Sequence, residues 1–272
     1  MKIDIGKQNR IEKYQYMSDL NFFSKEVARR KKALLEKNSK DIGTEPLSES
    51  ELLAQNKIPR IVSGLRHNIL YVPDEIRKAS GIIINGRRIK SLIFSTDIAI
   101  IKNCDADAVL AVYPFTVQQS ISNAIIQTTS IPVFCGVGGG TTNGVRSVAL
   151  ASDAEGQGAM GVVLNAPISN ENILAVSIAL DIPVVISITN DHTDIAGRIA
   201  AGANILNVAA GAKTAEIIRS IRTEFPKIPI IATGGKEPES ILETIAAGAN
   251  AIVYTPPSSG ELFRGIMEEY RK

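Results

Sequence analysis

From residue 91 onward, apolar runs of strand length alternate with stretches of helical period. The runs fall at 91–96, 108–114, 132–136, 161–167, 183–189, 204–210, 229–233 and 251–255. Each is rich in Val, Ile and Leu without polar alternation, the pattern of strands buried on both faces. Helical patterns follow several of them, at 117–129, 170–180, 212–225 and 237–247. Strand starts lie 17 to 29 residues apart, which suits compact right-handed βαβ units. Eight such units in about 180 residues predict an α/β fold, a (β/α)8 TIM barrel with short loops. A doubly wound open sheet is the alternative, and the evenness of the units favours closure.

A repeat sharpens the register. Ile-Ala-Ala-Gly-Ala-Asn is spelled at 199–204 and again at 245–250. Each copy ends a helical pattern and begins an apolar run. The intervening runs open instead with Ile131-Pro132, Ile182-Pro183 and Ile228-Pro229. Gly202 and Gly248 stand where a left-handed helix cap is needed. The prolines stand at the first strand position, where a missing N–H does least harm.

Residues 1–80 read differently. Residues 21–37 form a basic helical pattern, and 48–55 a short helix with Ser48 and Glu51 as a capping box. Then Asn85-Gly86, between 81–85 and 88–94, is a strong two-residue hairpin signal. The expected organisation is a helical extension over 1–80 and a barrel over 81–272, with the β-hairpin plugging the barrel bottom. The basic helix is expected to be a solvated face, with a homo-oligomer contact as the next reading.

Composition bounds the function classes. The chain has 272 residues, 44% of them hydrophobic, and a net charge of +2. Residues 1–80 carry 16 Lys/Arg against 11 Asp/Glu, about +5. That is too sparse, and too poor in interleaved aromatics, for a nucleic-acid binder. The two cysteines, Cys104 and Cys135, give neither a disulfide framework nor zinc spacing. No leader pattern opens the chain, and no apolar run reaches the length of a membrane span. A soluble cytoplasmic protein with no membrane or nucleic-acid partner is expected.

In such a barrel the site lies at the C-terminal ends of the strands. Thr233, Gly234, Gly235 and Lys236 follow the seventh strand, and Ser259 and Gly260 follow the eighth. Paired glycines let backbone approach an anion, and a helix start offers unpaired N–H groups. The segment 230–235, Ile-Ile-Ala-Thr-Gly-Gly, followed by a helix ending Ala246-Ala247-Gly248-Ala249-Asn250, resembles the aldolase-type phosphate-binding TIM barrels. That superfamily includes keto-deoxy-phosphogluconate aldolases, FMN-linked and inosine monophosphate dehydrogenase-like barrels, and thiazole synthase. The resemblance implies a phosphate pocket on those two loops and says little about the reaction. One departure matters. Where a Schiff-base aldolase carries its strand-six lysine, this chain has Asn207, and no lysine occurs between Lys102 and Lys213. Schiff-base catalysis is not expected.

Other loops carry candidates. Asn190-Asp191-His192-Thr193-Asp194 is the densest polar cluster. His192 and Asp194 are candidate acid–base groups, and with Asp191 candidate metal ligands; helix capping by Asp191 or Thr193 is the competing reading. Asp97 is the alternative general base, with capping again its rival. Asn165 and Asn207 are candidate substrate-orienting groups. The loop over 136–144, Gly-Val-Gly-Gly-Gly-Thr-Thr-Asn-Gly, matches neither a dinucleotide fingerprint nor a Walker loop. A lid over a ligand, with Arg146 nearby, and a flexible connection are equal readings. Cys135 is expected to be a small buried hydrophobe, and His67 structural.

Taken together, the residues predict a lyase or isomerase acting on a small phosphorylated metabolite without a Schiff base. Asp97, His192 and Asp194 are its expected catalytic groups. The cofactor is open, FMN or a divalent metal being compatible. An FMN oxidoreductase and a non-catalytic metabolite-binding or regulatory protein are the alternatives.

Overall fold

The structure is a computed structural model describing residues 69–233, 235 and 237–271, together with Lys25, Arg29 and Lys32. The chain divides into two compact units, Met1–Ile61 and Val62–Lys272. In the first, Lys25, Arg29 and Lys32 are helical and exposed. The remainder of the expected helix over 21–37, the short helix over 48–55, and His67 lie outside the described residues, as do Gly234 and Lys236.

The second unit is a closed barrel of eight parallel strands. They are β3 (Ser91–Phe94), β4 (Ala108–Ala111), β5 (Val133–Gly138), β6 (Gly161–Leu164), β7 (Val184–Ile188), β8 (Ile205–Val208), β9 (Ile230–Thr233) and β10 (Ala251–Tyr254). β10 closes on β3, with Ile252 opposite Ser91. A helix follows each strand: α1 (Ile98–Lys102), α2 (Gln119–Thr128), α3 (Val145–Gly156), α4 (Asn170–Ala179), α5 (Ile195–Ala200), α6 (Thr214–Glu224), α7 (Pro238–Ala246) and α8 (Ser259–Tyr270). Seven of the eight apolar runs predicted from the sequence contain their strands, β5 running on to Gly138 past the expected end at 136, and the open-sheet alternative is ruled out.

Side chains alternate across each strand, so the barrel has two apolar layers. Ile125, Ile173, Ile218 and Ile241 of the helices pack with Val109, Val162, Leu206 and Ile252 outside the barrel. Inside, Leu92, Leu110, Phe134, Val163, Val185, Ile205 and Ile231 fill the lumen. Gly161 makes room there, since a Cβ on it would meet the Phe134 ring at 2.8 Å.

The hairpin forms as predicted, from β1 (Ile82–Ile84) and β2 (Arg87–Ile89). Asn85 and Gly86 both have positive φ, 49° and 78°, as a tight hairpin turn whose twist matches the strands requires. Ile82, Ile84 and Ile89 join the inner apolar cluster, and the Gly81 N–H donates to the Asn250 carbonyl at 2.7 Å. The hairpin therefore closes the bottom of the barrel. Its second strand ends at Ile89 rather than running on to 94. Asp107 Oδ2 accepts the N–H groups of Lys90 and Ser91, each at 2.9 Å, and pins a corner there.

Residues 69–80 pack with the barrel. Leu70 bridges to Cys104, and Ile76, in a single 3-10 turn (Asp74–Lys78), is fully buried.

The twin repeat has a structural purpose. Gly202 and Gly248 have φ of 106° and 112° and end their helices. Asn204 and Asn250 then turn back toward the preceding strand. Asn204 Oδ1 accepts the Val184 N–H and Asn250 Oδ1 accepts the Ile230 N–H, both at 2.9 Å. Those amides follow Pro183 and Pro229, whose carbonyls accept from Val162 and Leu206 at 3.0 Å. Two of the three Pro-opened strands, β7 and β9, are thus tied at their first free amide by the asparagine of the Gly-Ala-Asn strand beside them.

Candidate functional site

The strand alternation that fills the lumen with apolar residues ends in polar ones at the top. Val163, Val185, Ile205 and Ile231 are succeeded two residues on by Asn165, Ser187, Asn207 and Thr233. These four line a cavity of about 260 Å³ at the C-terminal ends of the strands, walled by Phe94, Leu110 and Val112. Their side chains are joined. Ser187 Oγ donates to Asn165 Oδ1 at 2.8 Å, and Thr233 Oγ1 donates to Asn207 Oδ1 at 2.8 Å. Asn207 Nδ2 donates to Ser187 Oγ at 3.5 Å. Ser187 and Asn207 are 7% and 5% exposed, so these polar groups are satisfied by one another, as burial demands. Among the described residues lining the cavity, none is ionisable.

Asn165 is braced from behind. Its N–H donates to the Gly138 carbonyl at 2.9 Å. Gly139, at φ 101°, lies so close that a Cβ would land on the Asn165 carbonyl oxygen.

Asp97, His192 and Asp194 lie elsewhere. Asp97 caps α1, accepting the Ala99 N–H at 2.8 Å and the Ile100 N–H at 3.3 Å. Its other oxygen accepts the hydroxyl of Ser259 across the seam between β3 and β10. That hydrogen bond, with the two amides, outweighs its partial burial and holds the carboxyl below its ordinary value. Asp194 caps α5, accepting the Gly197 N–H at 2.9 Å. The His192 side chain is 92% exposed, 3.4 Å from Asp191. Asn190, not Asp191 or Thr193, organises this loop, accepting from the His192 N–H and the Thr193 hydroxyl. His192 and Asp194 line a separate cleft of about 520 Å³ with Asn170 and Arg198. Among the described residues, no three His, Cys, Asp or Glu side chains are placed to hold a metal ion, so Asp191, His192 and Asp194 do not form the ligand set considered from the sequence.

Of the expected phosphate loops, Thr233 belongs to the mouth cavity, while Gly235 turns at φ 84° over Ser240. Ser259 and Gly260 begin α8. That helix start already carries carboxylates: Glu261 Oε2 accepts both the N–H and the hydroxyl of Ser258 at 2.7 Å, and Asp97 accepts from Ser259. Both compensate the positive helix end. Ser259 also borders an apolar groove of about 460 Å³ between α1 and α8.

The glycine loop after β5 is tied down rather than free. Gly139 N–H donates to Thr142 O at 2.8 Å, Gly140 N–H to Pro167 O at 3.2 Å, and Gly144 N–H to Asn172 Oδ1 at 2.8 Å. Most of the amides that a nest for an anion would need are therefore engaged. The Cys135 side chain faces the helix layer, and burial pushes its thiol up to about 11.

Ser187 was missed by the sequence reading. A signal for it existed: it stands opposite Asn207 in the β7–β8 register and two residues beyond inward-facing Val185. It was hidden because Val and Ile dominate the run 183–189, and one hydroxyl among them gives no polar alternation.

No protein-family model matches the chain, and no curated protein matches it. Solved structures do. A phosphonopyruvate hydrolase superposes with a TM-score of 0.54 at 17% identity, over 69% of this chain and 81% of its own. A 2,3-dimethylmalate lyase, described as a PEP mutase/isocitrate lyase superfamily member, gives 0.52 at 13% identity over 72% and 83%. Phosphoenolpyruvate phosphomutase from Streptomyces platensis subsp. rosaceus gives 0.52 at 13% identity over 73% and 83%. At these identities the likeness is one of fold, and it agrees with the aldolase-type barrel expected from the sequence.

Proposed function

We propose that this protein is a cytoplasmic enzyme that binds a small phosphorylated metabolite in the mouth of its barrel, as a lyase or isomerase. The observation that carries this reading is the joined set Asn165, Ser187, Asn207 and Thr233. Four hydrogen-bonding side chains, two of them buried and two half-buried, are gathered and joined to one another where barrels of this kind do their chemistry. The fold neighbours named above, a hydrolase, a lyase and a mutase, support an enzyme of that broad class, although fold alone is a weak warrant for a reaction. Two free cysteines, one half-buried and one buried, suit a reducing compartment. Among the described residues no helix is long and apolar enough to cross a membrane.

In this reading Asn165 and Asn207 orient the substrate and the loop beginning at Gly235 takes its phosphate, with Gly234, Lys236, Ser259 and Gly260 as further phosphate contacts. Asp97, His192 and Asp194, on the loops around the rim, are the ionisable groups for proton transfer. With Asn207 in place of a lysine, the described cavity-lining residues offer no amine for a Schiff base.

A second reading, a metabolite-binding protein without catalysis, is favoured by one observation: none of the described cavity-lining residues ionises. One experiment separates the two. Phosphorylated three- to six-carbon keto and hydroxy compounds are incubated with the protein in D2O and followed by proton NMR. An enzyme that abstracts a proton beside a carbonyl exchanges that proton or forms product. Saturable binding without exchange or product selects the second reading, and no binding removes both. If exchange occurs, His192→Asn should lower its rate without loss of binding, and an unchanged rate takes His192 out of the mechanism.

A further inference from the structure

The hydrogen bonds around the mouth all run one way. The Thr233 hydroxyl donates to Asn207 Oδ1, the Asn207 amide donates to Ser187 Oγ, and the Ser187 hydroxyl donates to Asn165 Oδ1. A hydroxyl has one proton to give, and an amide has one oxygen to accept with and one nitrogen to donate from. The Thr233 and Ser187 protons are therefore committed, and so is one N–H of Asn207. The two ends of the chain are left with opposite character. Asn165 Nδ2 keeps its N–H groups, with no acceptor among the described residues. Thr233 Oγ1 keeps its lone pairs, with no donor among them.

Aligned hydrogen bonds polarise one another. The alignment strengthens the donor at Asn165 and the acceptor at Thr233. Both ends are fixed in place. Asn165 is held by Gly138 and backed by Gly139, and Thr233 closes β9. Neither end carries a charge, so the mouth suits a neutral group with an acceptor at one end and a donor at the other.

We propose that the mouth recognises a hydroxy-carbonyl group: Asn165 Nδ2 donates to the ligand's carbonyl oxygen, and Thr233 Oγ1 accepts from its hydroxyl. This rests on the reading that the mouth is the substrate site and deepens it by naming the substrate class, a phosphorylated hydroxy-carbonyl compound of few heavy atoms. Ser187 and Asn207 are positioning residues that set the direction of the relay.

The test uses three small probes on the full chain, followed by the side-chain amide signals of a 1H–15N NMR spectrum. Hydroxyacetone carries both groups, acetone lacks the hydroxyl, and propan-1-ol lacks the carbonyl and any oxygen in its place. Hydroxyacetone should move the Asn165 amide signal, and the other two should bind about 3- to 10-fold more weakly, the worth of one hydrogen bond. Asn165→Asp keeps the oxygen that Ser187 donates to and removes the terminal donor, so it should abolish hydroxyacetone binding as read from the Asn207 side-chain amide signal. Thr233→Val should bring hydroxyacetone down to the level of acetone. The probe series on the unaltered protein stands even where a variant fails to fold. Equal binding of the three probes, tighter binding of propan-1-ol or acetone than of hydroxyacetone, or a folded Asn165→Asp that binds hydroxyacetone normally overturns the proposal. If no probe moves any mouth signal while inorganic phosphate moves Gly235, the hydroxy-carbonyl recognition fails and the phosphate site survives.

Discussion

The twin asparagines of the repeat offer an internally controlled test of how the barrel bottom is held. Asn204→Ala removes one acceptor, that of the Val184 N–H at 2.9 Å. Asn204 is exposed, so water replaces part of the loss, and the cost is about 0.5–1 kcal/mol. Asn250→Ala removes more. It frees the Ile230 N–H, the Ser80 hydroxyl that accepts from Asn250 Nδ2 at 2.9 Å, and Arg222, whose Nη2 reaches Asn250 Oδ1 at 2.6 Å. Arg222 is partly desolvated, which lowers its pKa, and it also donates to the Gly248 and Ile228 carbonyls. A hydrogen bond to a charged group contributes about 1.5–3 kcal/mol and a neutral one about 1 kcal/mol; with water taking over the exposed bond to Ser80, Asn250→Ala should cost about 3 kcal/mol. Urea unfolding reads the difference. With a slope of about 2 kcal/mol per molar, the two midpoints should differ by about 1 M, Asn250→Ala lying lower. Equal midpoints would refute the assignment of Arg222 to the repeat's second copy.

Three further outcomes follow from the structure. Gly139→Ala should destabilise by about 2–4 kcal/mol, from a left-handed backbone and a collision with the Asn165 carbonyl, and should displace the Asn165 amide signal; an unperturbed variant would show that the glycine is not a brace. Because the Asp97 carboxyl is held below its ordinary value, chiefly by Ser259, its contribution is present above the unfolded carboxylate value and is lost as pH falls through the lowered one. The stability gap between the unaltered protein and Asp97→Asn in thermal melts should therefore shrink in acid, and a gap independent of pH would contradict the seam hydrogen bond. With its thiol pushed up to about 11 by burial, Cys135 should resist a thiol reagent at pH 8 in the folded protein and react only on unfolding.

The fold was legible because its signals are redundant. Val- and Ile-rich runs, Pro at strand starts and Gly at helix ends all give the same register, and Asn85-Gly86 has few conformations open to it. The site was less legible, and for a physical reason. An acid two or three residues ahead of a helix amide is both a good cap and a plausible catalyst, and the sequence does not separate the roles at Asp97 or Asp194. Coordinates show both side chains accepting helix N–H groups. Asn165, Asn207 and Thr233 were recognisable because polar residues at strand ends are conspicuous. Ser187 was not, since one hydroxyl in Val-Val-Ile-Ser-Ile changes an apolar run little, and its meaning depends on register with Asn207. The glycine loop misled in a similar way. Its amides looked free along the sequence, but their acceptors, Pro167 O and Asn172 Oδ1, lie more than twenty residues away.

The central claim is that the ligand sits in the mouth cavity, and filling that cavity tests it most directly. Ala209 lines it, and Ala209→Phe would occupy the space while leaving every member of the Asn165–Thr233 relay unsubstituted. A phosphorylated hydroxy-carbonyl compound that raises the melting temperature of the unaltered protein should leave that of a folded Ala209→Phe unchanged. An equal rise in both would place the ligand elsewhere and contradict the account.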